Sequence, residues 1–138
     1  MTTYSSLINP TPEQIKQITE LYRMEGWWEK EKDDQELVAG IIKGSHCFFI
    51  AVREEEIIGM GRAISDQASD AYIQDVAVKS ESRRKGIGTV IIREITARLR
   101  ADGLNWIGII AERGSQEFYS RLGFKVMPDS MPMLKTIP

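Results

Sequence analysis

Residues 76–89 decide the fold, and they read Val76-Ala77-Val78-Lys79-Ser80-Glu81-Ser82-Arg83-Arg84-Lys85-Gly86-Ile87-Gly88-Thr89. An apolar strand runs into a short basic loop, and a helix begins after the first of two glycines. Glycine lets the backbone approach a ligand closely, and the free amides at a helix N-terminus attract anions. Because Arg83, Arg84 and Lys85 add positive charge, we interpret this junction as a phosphate cradle.

The spacing of the glycines excludes two common phosphate cradles. A P-loop requires a glycine, four further residues and then Gly-Lys-Ser/Thr, which this chain lacks. A dinucleotide-binding turn requires a third glycine three residues after the second, and that position holds Ile91. The remaining pattern, Arg83-x-x-Gly86-x-Gly88, is on its own equally compatible with a solvated basic turn ahead of a helix.

The apolar periodicity outside this junction predicts a mixed α/β order, with a hairpin first and strand–helix–strand units after it. Thr11, Pro12 and Gln14 form a helix-start pattern, in which Thr11 caps the helix and Gln14 completes a capping box. We predict helices over residues 12–26, 33–43, 86–102 and 116–122. We predict strands over residues 7–8, 47–52, 57–64, 71–78, 105–111 and 124–127, with another over 131–137.

Composition narrows the class of protein further. The chain has 138 residues and a formal net charge of -2, a balance that argues against a nucleic-acid backbone as partner. Cys47 and His46 are the only cysteine and histidine, so an intrachain disulfide and a metal site built from several such ligands are excluded. The sequence lacks a signal-peptide pattern and a run of about 20 apolar residues. We therefore expect a cytoplasmic protein without metal or membrane partner.

A second motif, Glu117-Phe118-Tyr119-Ser120-Arg121-Leu122-Gly123-Phe124, follows a predicted buried strand. The pattern Arg83-x-x-Gly86-x-Gly88 followed by this second motif resembles the GNAT superfamily of N-acetyltransferases, in which the two motifs occur in the same order. The resemblance extends from about Cys47 to Met127. Within it, residues 59–62 and 75–78 look most like a plant and bacterial branch. Plant members of that branch acetylate arylalkylamines and protein lysines.

The resemblance implies a fold, a domain and a cofactor. The fold is α/β (α+β), with a mixed, mostly antiparallel central sheet of about six or seven strands flanked by about four helices. It implies a single N-acetyltransferase domain over residues 1–138, which takes acetyl-CoA and releases CoA.

The same resemblance implies roles for individual residues. Val76, on a bulged strand, supplies an N–H to the carbonyl oxygen, and Tyr119 gives a proton to the departing thiolate. Glu112 departs from the family pattern, in which many members carry Asn. The implied cofactor-binding residues are Val76, Ala77, Val78, Arg83, Arg84, Lys85, Gly86, Ile87, Gly88, Thr89, Glu112, Phe118 and Tyr119.

The proton acceptor and the acceptor site stay open at this point. Candidate bases are Asp75, Glu25, Asp66 and Glu112, each of which is alternatively a structural carboxylate. Trp27 and Trp28 either line the acceptor site or pack as a hydrophobic lid or dimer contact. Further candidates for the acceptor wall are Arg62, Tyr72 and residues 131–133, and we expect Cys47 to be packed rather than nucleophilic.

We predict acetyl transfer from CoA to a primary amine of a small molecule, by direct attack without an acyl-enzyme. Tryptophan faces next to the acid-rich stretch 29–36 favour a cationic aryl- or alkylamine over a free α-amino acid. Three alternatives remain: a protein lysine acetyltransferase, a non-catalytic CoA-binding module, and a nucleic-acid binder that uses residues 83–85. A homodimer is also compatible with the sequence.

Overall fold

The computed structural model describes residues 1–29 and 35–138 of the chain. They divide into two units, residues 1–108 and residues 109–138, and each unit is described by itself. The elements, in chain order, are β1 (Thr3–Ser6), α1 (Pro12–Met24), α2 (Gln35–Gly44), β2 (Cys47–Arg53), β3 (Glu56–Ser65), β4 (Asp70–Val78), a 3₁₀ turn (Ser80–Ser82), α3 (Ile87–Ala101), β5 (Trp106–Ile109) and α4 (Gln116–Arg121).

The strands form one five-stranded sheet in the order β1-β2-β3-β4-β5. Strands β1 to β4 pair antiparallel with their neighbours, and the β2–β3 hairpin aligns Phe49 with Gly61. The predicted α/β fold class and the four helices are confirmed. The predicted count of six or seven strands is wrong for the described residues, which contain five.

Both strands predicted near the C-terminus are wrong. Residues 124–127 and 131–137 form no strand, and Val126 and Met133 are 68% and 92% exposed. A strand exists only through pairing with a neighbour, which an apolar run cannot guarantee. The first strand is also displaced from the prediction: it spans Thr3–Ser6, and the buried Leu7 that follows it donates its N–H to the Phe48 carbonyl.

Helix α1 begins as the sequence predicts. The Gln14 N–H donates to the Thr11 hydroxyl, and the Gln14 side chain accepts from the Thr11 N–H, which completes the capping box. The helix ends at Met24, with Glu25 as the C-cap and Gly26 at φ 76°. Its apolar side, which includes Ile18 and Leu21, is fully buried against the sheet.

The predicted first residues of helix α2, Asp33 and Asp34, lie outside the described residues, within which the helix runs from Gln35 to Gly44. Val38 and Ile42 are buried, whereas Leu37 is 43% exposed. The predictions for α3 and α4 differ from the structure by at most one residue at either end.

Helix α3 packs closely on β3 because that strand carries Gly59 and Gly61. A Cβ atom on Gly61 would lie 2.8 Å from Ile91 Cγ2 and 3.1 Å from Ile95 Cδ1. Only glycine leaves room for α3 at this distance. The strand therefore fixes the position of the helix whose N-terminus forms the predicted phosphate cradle.

Within residues 1–29 and 35–138, no helix has the length and apolar character needed to cross a membrane. In the same ranges, no three His, Cys, Asp or Glu side chains gather closely enough to hold a metal ion.

Candidate active site

Strand β4 carries a β-bulge at Asp75 and Val76. Met60 pairs with Ala77 and Arg62 pairs with Gln74, so Gly61 alone faces two residues of β4. Asp75 adopts a left-handed conformation, with φ 57°. A bulge leaves one residue out of the ladder and bends the strand. The bulge that the family resemblance implies at Val76 is therefore present in this chain.

Two side chains from different elements hold the Asp75 carboxylate. The Tyr22 hydroxyl, on α1, donates to Asp75 Oδ2 at 2.7 Å, and Arg62 Nε, on β3, donates to the same oxygen at 2.6 Å. Burial, followed by the negative charge of Asp75, raises the pKa of Tyr22 far above its usual range. The phenol therefore stays a donor at every physiological pH.

Arg62 is committed to this cluster. Besides Asp75, its guanidinium donates to Ser45 Oγ at 3.3 Å and to Gln74 Oε1 at 3.1 Å. Its side chain is 15% exposed. Arg62 thus acts on Asp75 and the sheet rather than as a free cation on the predicted acceptor wall.

The chain after β4 makes the predicted strand–loop–helix junction. The 3₁₀ turn follows Val78, and Arg84 and Gly86 both have positive φ, at 65° and 79°. Gly86 is the N-cap of α3, and within the described residues no side chain caps this helix. The first amides of an α-helix have no intrahelical acceptor, so those of Ile87, Gly88 and Thr89 are available to an anion. Nothing described lies within 4 Å of a Cβ atom built on Gly86, so the space in front of it is open.

The three basic residues of the junction differ in their surroundings. Arg83 Nε donates to the Val78 carbonyl at 3.0 Å, and the same guanidinium pairs with Glu25 at 3.1 Å. Arg84 and Lys85 are exposed. Arg83 therefore joins the end of α1 to the end of β4, while Arg84 and Lys85 add charge at the surface.

The second unit carries the predicted general acid. Tyr119, on α4, is buried, with edge-on ring contacts to Phe118 at 4.9 Å and Phe124 at 5.7 Å. Burial, and then the charge of Glu112, raises the pKa of Tyr119 to about 12. The Tyr119 phenol therefore holds its proton at neutral pH, as an acid must.

The loop before α4 is built on Glu112. Its carbonyl oxygen accepts from the Ser115 N–H at 3.0 Å and from the Ser115 hydroxyl at 2.6 Å. Arg113 and Gly114, at φ 53° and 75°, complete the turn. The acidic side chain at position 112, which departs from the family pattern, thus lies near enough to Tyr119 to disfavour its ionised form.

The family model described as "Acetyltransferase (GNAT) family" matches residues 8–124, which include β4, α3 and α4. The chain belongs to the acetyltransferase (GNAT) family. It is 31% identical over 111 residues to an uncharacterized N-acetyltransferase of Chlorobaculum tepidum, covering 80% of this chain and 67% of the relative. It is 33% identical over 79 residues to GCN5-related N-acetyltransferase 2, chloroplastic, of Arabidopsis thaliana, covering 57% and 31%.

Solved structures of GNAT proteins share the fold. A probable acetyltransferase of Staphylococcus aureus superposes with a TM-score of 0.82 at 21% identity, covering 99% of this chain and all of that one. The chain spans less than half the length of the first curated relatives that it matches.

The predicted site residues of this GNAT chain fall into two groups. The bulge and the junction, in the first unit, hold Val76, Ala77, Val78, Arg83, Arg84, Lys85, Gly86, Ile87, Gly88 and Thr89. The second unit holds Glu112, Phe118 and Tyr119. Ile87 is buried, so only its backbone amide is available to a ligand. The roles of all these residues stay predictions.

Several of the candidate bases and nucleophiles have structural partners. Asp66 caps its own loop, because its carboxylate accepts hydrogen bonds from the N–H groups of Ser69 and Ala68. These bonds, that from Ser69 first, lower the pKa of the Asp66 carboxyl to about 2. Glu25 pairs with Arg83. Burial raises the pKa of the Cys47 thiol to about 11, so this side chain is packed as predicted and is no thiolate at neutral pH.

Both tryptophans after α1 are half-buried against the core. The Trp28 ring stacks on Tyr22, with centroids 4.0 Å apart and planes within 5°, and Trp27 is tilted against the same tyrosine at 5.9 Å. One face of Trp28 is thus occupied by a side chain of its own protein. Among the other acceptor-wall candidates, Tyr72 contacts Trp106 edge-on, and residues 131–133 are exposed.

Sequence reasoning missed Tyr22 as a residue of the site. Nothing in the local sequence shows that its hydroxyl meets a residue 53 positions away. The close approach of α3 could have been predicted from the sequence, because Gly59 and Gly61 lie on the same face of a strand and leave room for a packed helix.

Proposed function

We propose that this chain is an acetyl-CoA-dependent N-acetyltransferase that moves the acetyl group directly to a primary amine of a small molecule. One observation supports the proposal above all others: a single strand–loop–helix unit contains both the bulge at Asp75–Val76 and the open N-terminus of α3, which no described side chain caps. The open space at Gly86 and the free amides of α3 fit a pyrophosphate group.

In this proposal the residues of the bulge act on the thioester. Bound acetyl-CoA supplies the acetyl group as a thioester. Attack by a neutral amine builds negative charge on the carbonyl oxygen, and the backbone N–H of Val76 stabilises that charge. As the carbon–sulfur bond breaks, CoA leaves as the thiolate and the amine nitrogen gives up one proton to solvent, which leaves the neutral amide. The backbone near Val78 pairs with the pantetheine arm, and the amides of residues 87–89 hold the phosphates.

Tyr119 assists the leaving sulfur when the carbon–sulfur bond breaks. A phenol with a pKa of about 12 is a weaker acid than a thiol, whose usual pKa is about 8.5. Full proton transfer from Tyr119 is therefore uphill in the free protein. A hydrogen bond from the phenol still stabilises the developing thiolate, and this is the role that we assign to it.

The acceptor belongs to the proposal as well. The name of one relative, serotonin N-acetyltransferase 2, chloroplastic, of Oryza sativa, specifies an arylalkylamine, at 31% identity over 74 residues. The name of another, histone acetyltransferase TAP1 of Glycine max, specifies a protein, at 33% identity over 78 residues. The two names are compatible with either acceptor, and we propose an arylalkylamine first and a protein lysine second, in the order that the sequence predicts. Cytoplasmic location and a homodimer stay predictions.

An acceptor panel tests this function. The purified chain is mixed with acetyl-CoA and, in turn, an arylalkylamine, an alkyl diamine, a lysine-containing peptide and a free α-amino acid, and free thiol is measured. We expect the highest kcat/KM with the arylalkylamine. Activity on the peptide alone would favour the lysine alternative, and CoA binding without transfer to any acceptor would favour the non-catalytic module.

A further inference from the structure

Asp75 has an unusual backbone conformation for its position in the fold. Seven non-glycine residues of the described ranges have positive φ, and six of them lie in turns and loops. Asp75, at φ 57°, is the one that lies inside a strand. Side chains other than glycine resist this conformation, and Asp tolerates it better than most. Something beyond local preference must therefore hold Asp75 there.

The side chain of Asp75 is anchored from both sides of the bulge. Tyr22 reaches it from α1 and Arg62 from β3, and both donate to a single oxygen, Oδ2. Tyr22 is 2% exposed and is itself fixed by the stacked ring of Trp28. Arg62 is fixed in turn by Ser45 and Gln74. The anchors are rigid, so the carboxylate has little freedom to move.

We propose that Tyr22, Asp75 and Arg62 form a positioning cluster that holds the bulge in its working geometry and so aims the amide of Val76. This inference rests on the proposed function. Asp75 and Val76 are adjacent, so the backbone rotation that makes Asp75 left-handed also sets the direction of the next N–H. A hydrogen-bond donor acts on a developing oxyanion only if it is preorganised at the right point.

A positioning role and a role as general base predict different results when Asp75 is replaced. A proton acceptor at position 75 would need its carboxylate, whereas an anchor needs an oxygen that accepts from Tyr22 and Arg62. Asp75→Asn keeps such an oxygen and also tolerates the left-handed conformation. Asp75→Gly keeps the backbone freedom and removes the anchor. Tyr22→Phe removes one donor and keeps the ring that stacks on Trp28.

The experiment measures kcat for acetyl transfer, Kd for CoA and the melting temperature of each variant. CoA lacks the acetyl carbonyl, so its affinity does not report on the Val76 donor. Asp75→Gly and Tyr22→Phe should each lower kcat by on the order of tenfold or more, short of the roughly 10²–10³ that loss of an oxyanion donor costs. Their Kd for CoA should stay within about threefold of wild type, and Asp75→Asn should retain most of the wild-type kcat.

Asp102 supplies a matched control. Its Oδ2 also accepts from two side chains, His46 at 2.7 Å and Arg98 at 2.8 Å, at the C-terminal end of α3. Asp102→Asn should leave kcat unchanged, because no role in the site is assigned to this carboxylate.

The outcomes separate the inference from the function on which it rests. If wild type transfers acetyl and Asp75→Gly and Tyr22→Phe keep its kcat, the positioning cluster is rejected and the proposed function stands. If Asp75→Asn is as inactive as Asp75→Gly, Asp75 is a base and the inference is again wrong. A wild-type protein that transfers no acetyl group rejects the proposed function and the inference together.

Discussion

Replacing Gly61 by alanine tests the packing that places the cradle. The added Cβ would lie 2.8 Å from Ile91 Cγ2, about 0.7 Å inside the usual carbon–carbon contact distance of about 3.5 Å. Ile91 and Ile95 are fully buried, so neither side chain can move aside into solvent. Overpacking of this kind costs about 2–3 kcal/mol, and the lower entropy of unfolded alanine offsets about 0.5–1 kcal/mol. The net loss in the free energy of unfolding should be about 1–2 kcal/mol.

Urea denaturation followed by circular dichroism measures this loss, which corresponds to roughly 3–7 °C in melting temperature. Gly40→Ala is the control, since no described atom lies within 4 Å of its added Cβ in helix α2. That substitution should stabilise the protein by about 0.5–1 kcal/mol. If Gly61→Ala is as stable as Gly40→Ala, α3 does not pack on β3 as described.

Three further predictions concern the cradle, the acid and the tryptophans. Gly86→Asp should abolish CoA binding in calorimetry, because the new carboxylate repels phosphate. The control Gly103→Asp, at an equally open glycine with φ 80°, should bind CoA normally. Binding by both variants would show that the phosphates bind elsewhere. Below pH 10, Tyr119 is protonated in both the folded and the unfolded chain. Above pH 10 the unfolded chain loses this proton first, because burial raises the pKa of Tyr119 in the folded chain to about 12. Ionisation of Tyr119 should therefore lower the free energy of unfolding of wild type by about 3 kcal/mol between pH 10 and pH 12. Tyr119→Phe should remove that part of the alkaline loss, measured by urea denaturation at each pH; a Tyr119→Phe variant with the full wild-type loss would contradict the burial of this phenol. Trp28→Ala should lower the free energy of unfolding by about 2–3 kcal/mol, because the stacking on Tyr22 is lost. If the free energy of unfolding is unchanged and the KM for the acceptor rises, Trp28 belongs to the acceptor site instead.

The parts of the fold that could be predicted from the sequence rest on local rules. The start of α1 follows from Thr11, Pro12 and Gln14, which interact within four residues of chain. The junction after β4 is also local, because glycine, strand length and helix periodicity all lie within residues 76–89. Each of these features is determined by neighbours in the chain, so its sequence pattern was sufficient.

The remaining features depend on partners far away in the chain. Residues 124–127 have the apolar character of a strand, yet the structure gives them no strand pairing. Asp75 could be named as a carboxylate from the sequence, but its left-handed conformation and its bond to Tyr22 arise only in the folded sheet. Arg62 likewise changes from a candidate for the acceptor wall to an anchor of the bulge once its partners are known.

Titration of CoA into the ¹⁵N-labelled chain, followed by amide NMR spectra, tests most directly that the β4–α3 junction binds the CoA of an acetyl-transfer reaction. We predict that the largest changes in chemical shift fall on the amides of Gly86, Ile87, Gly88 and Thr89, with a further change at Val78. Saturable binding that leaves these amides unchanged and perturbs another part of the chain would contradict it.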